Sequence, residues 1–372
     1  MKILHTVQLY SPHVGGSEEV VRQLSEQLVR KGHEVTVATG YDPRRRSNSI
    51  NGVRIEQFQI QGNLVSGITG PNTERYGDFV IRSDFDIMMN YAAQIWSTDL
   101  LFPHLEAIRA AKVIVPCGYS ALHKPRYADY YRALPEILSK YDRVIYMSPN
   151  YRDKQFGDKH GVHHFEIIPN GADREEFGRE PLGFRRKFGI STPYLLLSVA
   201  NLYPEKGLDL VIRAFRLLNR RDVTLVIIGN PPSGSWKWRQ RHYARLRLDA
   251  WRAREVRIIE GLSRPWVVSA YQEADVFLFG SRIECSPLVI FEAMAAGTPF
   301  VSTNCGDVSD YRDFGALANT SEQMAEAIAG FLDDGRLRRQ VGGRARDSWL
   351  QHHTWDDIAV RYERLYEQLT LS

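Results

Sequence analysis

Residues 194–203 read YLLLSVANLY and residues 224–230 read TLVIIGN; between them lies a loop with Lys206–Gly207 and an apolar stripe. The stripe sets Leu210, Val211, Ala214, Phe215 and Leu218 at helical spacing, so the stretch predicts strand, loop, helix, strand. The same unit opens the chain. KILHTVQLY at residues 2–10 predicts a strand, and a Gly15–Gly16 loop leads into a helix with Val20, Val21, Leu24 and Leu28 on one face. Ser17 is expected to cap that helix, and Gly32 to turn the chain into the strand EVTVATG at residues 34–40. Strands and helices alternating in this way build parallel sheets covered on both faces. An α/β fold with two doubly wound halves is therefore expected. The linker is expected at Asp173–Leu182, just after IPNGAD at residues 168–173, which sets the domains at 1–175 and 176–354. Residues 355–369 predict a final helix with Ile358, Tyr362, Leu365, Tyr366 and Leu369 on one side.

A chain of 372 residues is long enough for two domains with separate cores. Hydrophobic residues at 43% and charged residues at 25% suit a soluble globular protein. Lys and Arg exceed Asp and Glu by 48 to 44, a net charge of +4, which is too small an excess to point to nucleic acid. The three cysteines, Cys117, Cys285 and Cys305, are odd in number and far apart, which suggests a reducing compartment and no zinc site. Met1–Leu9 shows no cleavage signature and no apolar stretch is long enough to span a bilayer, so a cytoplasmic protein is expected.

The chemistry concentrates in SRIECSPLVIFEAMAAGTPFV, residues 281–301. Ser286 and Pro287 suit the cap and first position of a helix, which Gly297 would close in the left-handed conformation with Pro299 beyond it. A helix start offers unpaired N–H groups and partial positive charge, the setting for a phosphate. Glu284 would stand beside that anion. Glu292, eight positions on, lies inside an apolar run, where a carboxylate can meet a neutral polyol such as ribose. Two solvated surface acids would not explain an acid within Leu288–Met294. The Gly15–Gly16 loop allows close backbone approach to an anion, although most such loops are only tight turns. Lys206 in PEKG can place a point charge against a diphosphate, unless it is an ordinary solvated loop lysine. Asn170–Gly171 reads as a structural turn.

Several of these segments together resemble family 4 of the retaining glycosyltransferases. They are HVGGSEEVVRQLSEQLVRKGHEVTV at 13–37, IPNGADREEF at 168–177, ANLYPEKGLDLVIRAF at 200–215, and the Glu284–Glu292 pair leading into AMAAGTPFV. The resemblance covers nearly the whole chain. It implies the GT-B fold, with two Rossmann-like domains facing across a cleft and residues 355–372 packing back on the first domain. It also implies transfer of a sugar from a nucleotide diphosphate-sugar to a sugar or glycolipid hydroxyl, with retention of configuration and no metal or other cofactor. Glu284 and Lys206 would be catalytic. Gly15, Gly16, Asn201, Lys206, Cys285, Ser286, Leu288 and Glu292 would form the donor site, with Glu284 on the sugar and Glu292 on the ribose.

The chain also departs from the family pattern. Asn201 stands where an Arg is common and Pro287 where Gly is frequent, which removes a phosphate-binding charge and a backbone donor. The usual histidine pair after the fourth strand is replaced in DFDIMMNYAAQ by Met89 and Tyr91 around Asn90, and a further histidine by Cys117 in VIVPCGYS. Asn90, Tyr91, Tyr119 or His123 would supply sugar or acceptor contacts instead. These losses keep open a non-catalytic GT-B protein that binds nucleotide or serves as a partner subunit, and a nucleotide-sugar epimerase or phosphorylase on the same fold. Trp236–Arg257, rich in Arg with three Trp, reads as a solvent-facing helix whose arginines lie over apolar surface. Its alternative is an interfacial helix making a peripheral contact on the inner membrane face. Arg44–Arg46 reads equally as a solvated turn or as a greeting point for an anionic acceptor. Tyr127, Tyr130 and Tyr131 read as helix packing before sugar stacking. The base, the sugar, the acceptor, the linkage and the oligomeric state stay open.

Overall fold

In the computed structural model of the chain, residues 1–231 and 237–371 are described, and they divide into two compact units. The first is Met1–Asn170 with the chain end from Trp355; the second is Gly171–Thr354.

The first unit is a parallel sheet of β1 (Lys2–Thr6), β2 (Glu34–Gly40), β3 (Val53–Phe58), β4 (Ile87–Tyr91), β5 (Ala111–Val115), β6 (Arg143–Tyr146) and β7 (Phe165–Ile167). Its spatial order is β7-β6-β5-β4-β1-β2-β3, with Ser49–Ile50 adding an antiparallel edge. β1 pairs on both sides, His5 standing opposite Val37 and Met89, which explains why Ile3–Thr6 are buried on both faces. Helix α1 (Gly16–Arg30) starts two residues earlier than the Ser17 cap allows. Gly15 takes the extended cap position, while Glu18 and Glu19 place negative charge in the first turn.

The last helix also belongs to this unit. We refer to Trp355–Leu371 simply as the final helix; Ile358, Tyr362, Leu365 and Tyr366 bury its inner face, and Leu369 is half-buried. The Tyr366 hydroxyl reaches His5 Nε2 at 3.3 Å and donates to Met89 Sδ at 3.3 Å, and Glu363 takes Lys31 at 2.7 Å and His33 at 2.9 Å. Burial pushes the His5 imidazole down to about 3, so the ring is neutral in the fold.

The second unit is an all-parallel sheet of β8 (Tyr194–Val199), β9 (Val223–Ile228), β10 (Val256–Ile259), β11 (Val276–Phe279), β12 (Phe300–Ser302) and β13 (Gly315–Leu317). The order β10-β9-β8-β11-β12-β13 is that of a dinucleotide-binding sheet, with its reversal between β8 and β11. The segment expected to be a linker is part of this body. Asp173 Oδ1 accepts from Glu176 N at 2.8 Å and caps the short helix Arg174–Gly178, whose Phe177 is 1% exposed. Ala172 bridges Thr354 and accepts from Trp349 Nε1 at 3.2 Å. The units therefore divide at Asn170/Gly171 rather than at 175/176, because capping and packing claim residues that read as polar linker.

Candidate functional site

In the second unit, the loops leaving β8 and β11 diverge at the point where the strand order reverses, which opens a crevice at the carboxyl edge. Two glycines let these loops touch. Gly207 has φ +59, and a Cβ there would lie 1.8 Å from the Gly280 carbonyl oxygen; one on Gly280 would lie 2.5 Å from the Gly207 oxygen. Arg282 N donates to Glu205 O at 2.8 Å and Ser281 Oγ to the same oxygen at 3.2 Å, stitching the loops along their length. That contact brings together two of the residues singled out from sequence. Lys206 Nζ meets Glu284 Oε1 at 2.6 Å, and Ser281 Oγ donates to the same oxygen at 2.7 Å. Lys206 keeps 28% and Glu284 16% of its side chain exposed, so the pair is open to an incoming ligand.

Helix α2, Leu288–Ala296, follows directly and ends at Gly297 with φ +69, as the sequence predicts. Its start differs. Pro287 occupies the cap at φ −73, ψ 117, one place before the first helical residue, in the place expected of Ser286. The Cys285 carbonyl instead accepts from Asp307 N at 2.8 Å, which fixes the approach to the helix. Leu288 opens the first turn, whose N–H groups point outward along the axis. Asn201 is half-buried in the loop after β8. Burial pushes the neighbouring Cys305 thiol up to about 12, so it is protonated and inert as a nucleophile.

Glu292 lies deeper, 7% exposed, and it has a partner that the sequence did not suggest. Arg264, the first residue of helix α3 (Arg264–Glu273), donates from NH1 to Glu292 Oε1 at 2.5 Å. The same guanidinium donates from Nε and NH2 to Glu176 Oε2 at 2.8 and 2.7 Å. Burial raises the Glu176 carboxyl against the lowering influence of Arg264. Nothing local marks this cluster: Arg264 and Glu292 stand 28 positions apart, and Arg264 and Glu176 88. The one available clue was an arginine in a first turn, where the helix dipole disfavours a cation.

The corresponding reversal in the first unit lies between β1 and β4. Gly15 sits against the Glu18 carboxylate, which meets His13 Nδ1 at 3.3 Å, while a Cβ on Gly16 would find open space. Three of the four residues expected to stand in for the family's histidines are buried in this unit. Asn90 is fully buried, its amide donating to Thr6 Oγ1 at 2.7 Å and its oxygen accepting from Tyr141 at 2.7 Å. Tyr91 is buried, and Tyr119 packs edge-on to Tyr131 and Phe156 with ring centroids at 5.5 and 5.3 Å. Only His123 of the four is exposed.

The sequence missed the loops themselves. Ala92 and Gln94 after β4, and Cys117 and Tyr119 after β5, hold φ of 70, 67, 59 and 46 without being glycine. Left-handed non-glycine residues cost free energy and cluster where loops are shaped for function. Gln94 is held by Asp99 Oδ1 at its N–H (3.1 Å) and donates from Nε2 to Tyr131 at 2.7 Å. Burial pushes Asp99 up to about 6.

The basic stretches resolve as follows. Arg45 is buried and donates to the Ser11, Gly40 and Tyr10 carbonyls and to Gln57, and Arg44 pairs with Asp42, so of Arg44–Arg46 only Arg46 remains as an exposed cation outside these contacts. Tyr130 and Tyr131 pack inside the unit and Tyr127 against them. Trp236 lies outside the described residues. The helix that follows it, Lys237–Arg252, buries Leu246 and Ala250 but leaves Trp251 80% exposed, with Trp238 and Leu248 also exposed. Among the described residues no helix is long and apolar enough to cross a membrane, and no three His, Cys, Asp or Glu side chains are grouped to hold a metal ion.

Comparison with known proteins places this geometry. The family model described as Glycosyl transferases group 1 matches residues 183–348, and that described as Glycosyltransferase Family 4 matches residues 14–176. An uncharacterised glycosyltransferase of Methanocaldococcus jannaschii is 25% identical, over 99% of this chain and 98% of its own. The N-acetyl-alpha-D-glucosaminyl L-malate synthase of Bacillus anthracis is 24% identical, over 98% and 97%. Among solved structures, sucrose-phosphate synthase from Thermosynechococcus elongatus superposes with a TM-score of 0.82 at 20% identity, over 99% and 98% of the two chains. Anabaena HepE, solved with UDP and glucose, superposes at 0.78 and 18%, over 99% and 100%. The shared architecture is GT-B, built of two Rossmann-like units.

Proposed function

The chain belongs to glycosyltransferase family 4, and from that premise we propose that it moves a sugar from a nucleotide diphosphate-sugar to an acceptor hydroxyl, with retention and without a metal ion. The observation that carries this reading is the Lys206–Glu284 pair at the mouth of the crevice, beside the start of α2 and above Glu292. A lysine already seated on a carboxylate can exchange it for a phosphate. Lys206 would then neutralise charge growing on the leaving diphosphate, and the N–H groups of the α2 start would share it. The exchange frees Glu284 to accept hydrogen bonds from the donor sugar. Glu292 accepts from the ribose hydroxyls. The bond from the anomeric carbon to the leaving phosphate oxygen breaks as the acceptor oxygen bonds that carbon on the same face. The acceptor proton passes to the departing phosphate, so no protein base is required. The transferred sugar enters a polysaccharide or glycoconjugate in this reading.

A peripheral membrane contact fits the Lys237–Arg252 helix, whose exposed Trp251, Trp238 and Leu248 lie among arginines. Site and helix together suit work at the cytoplasmic side of a membrane on a sugar or glycolipid.

A second reading, a nucleotide-binding member without turnover, draws on the first unit. Asn90 is buried and bonded to Thr6 and Tyr141, which gives it a structural role and leaves a lost sugar contact without an evident replacement. A thermal-shift screen against UDP-, GDP-, dTDP- and ADP-sugars, followed by donor hydrolysis, separates the two. Binding raises apparent stability by mass action. Binding with slow hydrolysis supports the transferase; binding with no hydrolysis of any donor supports the second reading.

A further inference from the structure

Arg264 begins a helix, where a cation opposes the dipole, yet its guanidinium is shared between two carboxylates. Glu292 takes NH1, Glu176 takes Nε and NH2, and the Phe177 ring lies 5.8 Å from the guanidinium carbon. The three residues come from α3, α2 and the capped Arg174–Gly178 helix, all in the second unit. Such a fork costs helix stability and is repaid only if the carboxylates must be held in place.

The geometry points to Arg264 as a positioning residue for the donor: by fixing Glu292 Oε1 it turns the other carboxylate oxygen toward the ribose hydroxyls and so sets the preference for ribonucleotides. The inference rests on the donor-site reading above.

One oxygen of Glu292 is committed to Arg264, and a planar carboxylate with one oxygen fixed has little freedom left in the other. Glu176 does the same for Arg264 from behind, and Asp173, which caps the Glu176 N–H, holds that helix in register. Tyr271, also on α3, is buried against Glu292, whose charge and hydrogen bond add to the burial that raises its phenol, so Tyr271 helps Arg264 to hold the carboxylate. The cluster therefore contains two carboxylates around one guanidinium. It keeps Glu292 an acceptor with a set direction, which is the property needed to read two adjacent hydroxyls. Removal of Arg264 would leave Glu292 in place but able to turn. Binding of the diphosphate, which depends on Lys206 and the α2 start, would be touched far less.

The test uses the full chain and calorimetry with UDP, GDP or ADP, whichever the wild type binds, and with its 2′,3′-dideoxy counterpart. The wild type is expected to favour the ribonucleotide by about tenfold or more, as for a hydrogen bond to a charged group. Arg264→Met is expected to erase most of that preference while changing dideoxynucleotide affinity by less than about threefold. Arg264→Lys, which keeps the charge but not the fork, should restore part of it. Glu176→Gln leaves Arg264 in place and should give a smaller loss of the same kind, a control should the Arg264 variants fold poorly. Glu292→Gln should abolish the preference, and the double variant with Arg264→Met should add nothing further. An equal loss of affinity for both nucleotides in Arg264→Met, or additive losses in the double variant, would overturn the role. If the wild type binds none of UDP, GDP, ADP and dTDP, the donor-site reading itself falls. If it binds only dTDP, or a ribonucleotide and its dideoxy counterpart equally, the donor site survives and ribose selection by Glu292 and Arg264 does not.

Discussion

The two crevices of this chain occupy the same place in two sheets of the same kind, yet they are furnished differently. In the second unit, charged side chains from separate loops and helices converge: Lys206 on Glu284, and Arg264 on Glu292 and Glu176. Between β1 and β4, polar side chains turn inward. Asn90 satisfies Thr6 and Tyr141, Tyr119 joins an aromatic cluster, and the loops are shaped by left-handed Ala92, Gln94 and Cys117. In the proposed reading the side chains of the second unit suit a diphosphate. In the first unit the residues at the corresponding place serve packing and backbone shape. Substitutions at equivalent places should therefore break different properties.

The largest contrast is between Lys206 and Asn90. Lys206→Ala should cost on the order of 3 kcal/mol in the transition state, read as kcat/KM for the donor, because it meets charge that grows as the diphosphate leaves. Glu292→Gln should weaken nucleotide binding by about 1.5–3 kcal/mol in calorimetry, since its bonds to ribose exist before and during reaction alike. Asn90→Ala should lower unfolding free energy by about 1–3 kcal/mol, because it strands the Thr6 and Tyr141 hydroxyls, while leaving nucleotide affinity as it was. Unchanged nucleotide affinity in both the Lys206 and the Glu292 variants, or a large loss of it in Asn90→Ala, would remove the contrast.

Gly207→Ala sharpens the same comparison within the second unit. The new methyl would press on a backbone oxygen at 1.8 Å and sit at φ +59, so both loops must separate. A melting temperature several degrees lower is expected, together with weaker nucleotide binding, as the Lys206–Glu284 pair is pulled apart. Gly16→Ala, at a position with open space around it, should leave the melting temperature nearly unchanged.

How much of this was legible in the sequence follows from what each residue's neighbours are. The central strands are apolar runs because parallel strands are buried on both faces, so β1, β2, β8 and β9 could be read directly. Glu292 was visible as an acid inside an apolar helix, and Lys206 as a charge in a glycine loop. Asn90 was misjudged because a polar residue at a strand end looks the same whether a ligand or Tyr141 satisfies it. Arg264 and Glu176 were invisible because their partners are distant in sequence and charged residues are common here. The caps expected at Ser17 and Ser286 missed by two places and by one, since Gly15 and Pro287 themselves adopt the extended cap conformation. The supposed linker was drawn by composition, which cannot show that Phe177 is core.

The expected pH dependence belongs to the first unit. His5 has its folded value pushed down to about 3, below the ordinary value of 6.5, because the buried ring resists charge. Its contribution to stability is full above 6.5 and is lost as pH falls from there toward 3, since the unfolded chain takes up the proton first. His5→Gln should flatten the acid limb of unfolding free energy against pH by up to about 1.4 kcal/mol per pH unit in that window. An unchanged acid limb would mean that His5 does not titrate on unfolding.

The central claim is that the second unit holds and activates a nucleotide-sugar with its own lysine, carboxylates and helix start. The most direct test follows hydrolysis of the donor that binds best, without acceptor, in EDTA, for the wild type and for Lys206→Ala. Slow hydrolysis that EDTA leaves unchanged and that Lys206→Ala lowers by about a hundredfold is the predicted result. Hydrolysis that stops in EDTA and returns with a divalent cation, or that proceeds equally without Lys206, would contradict it.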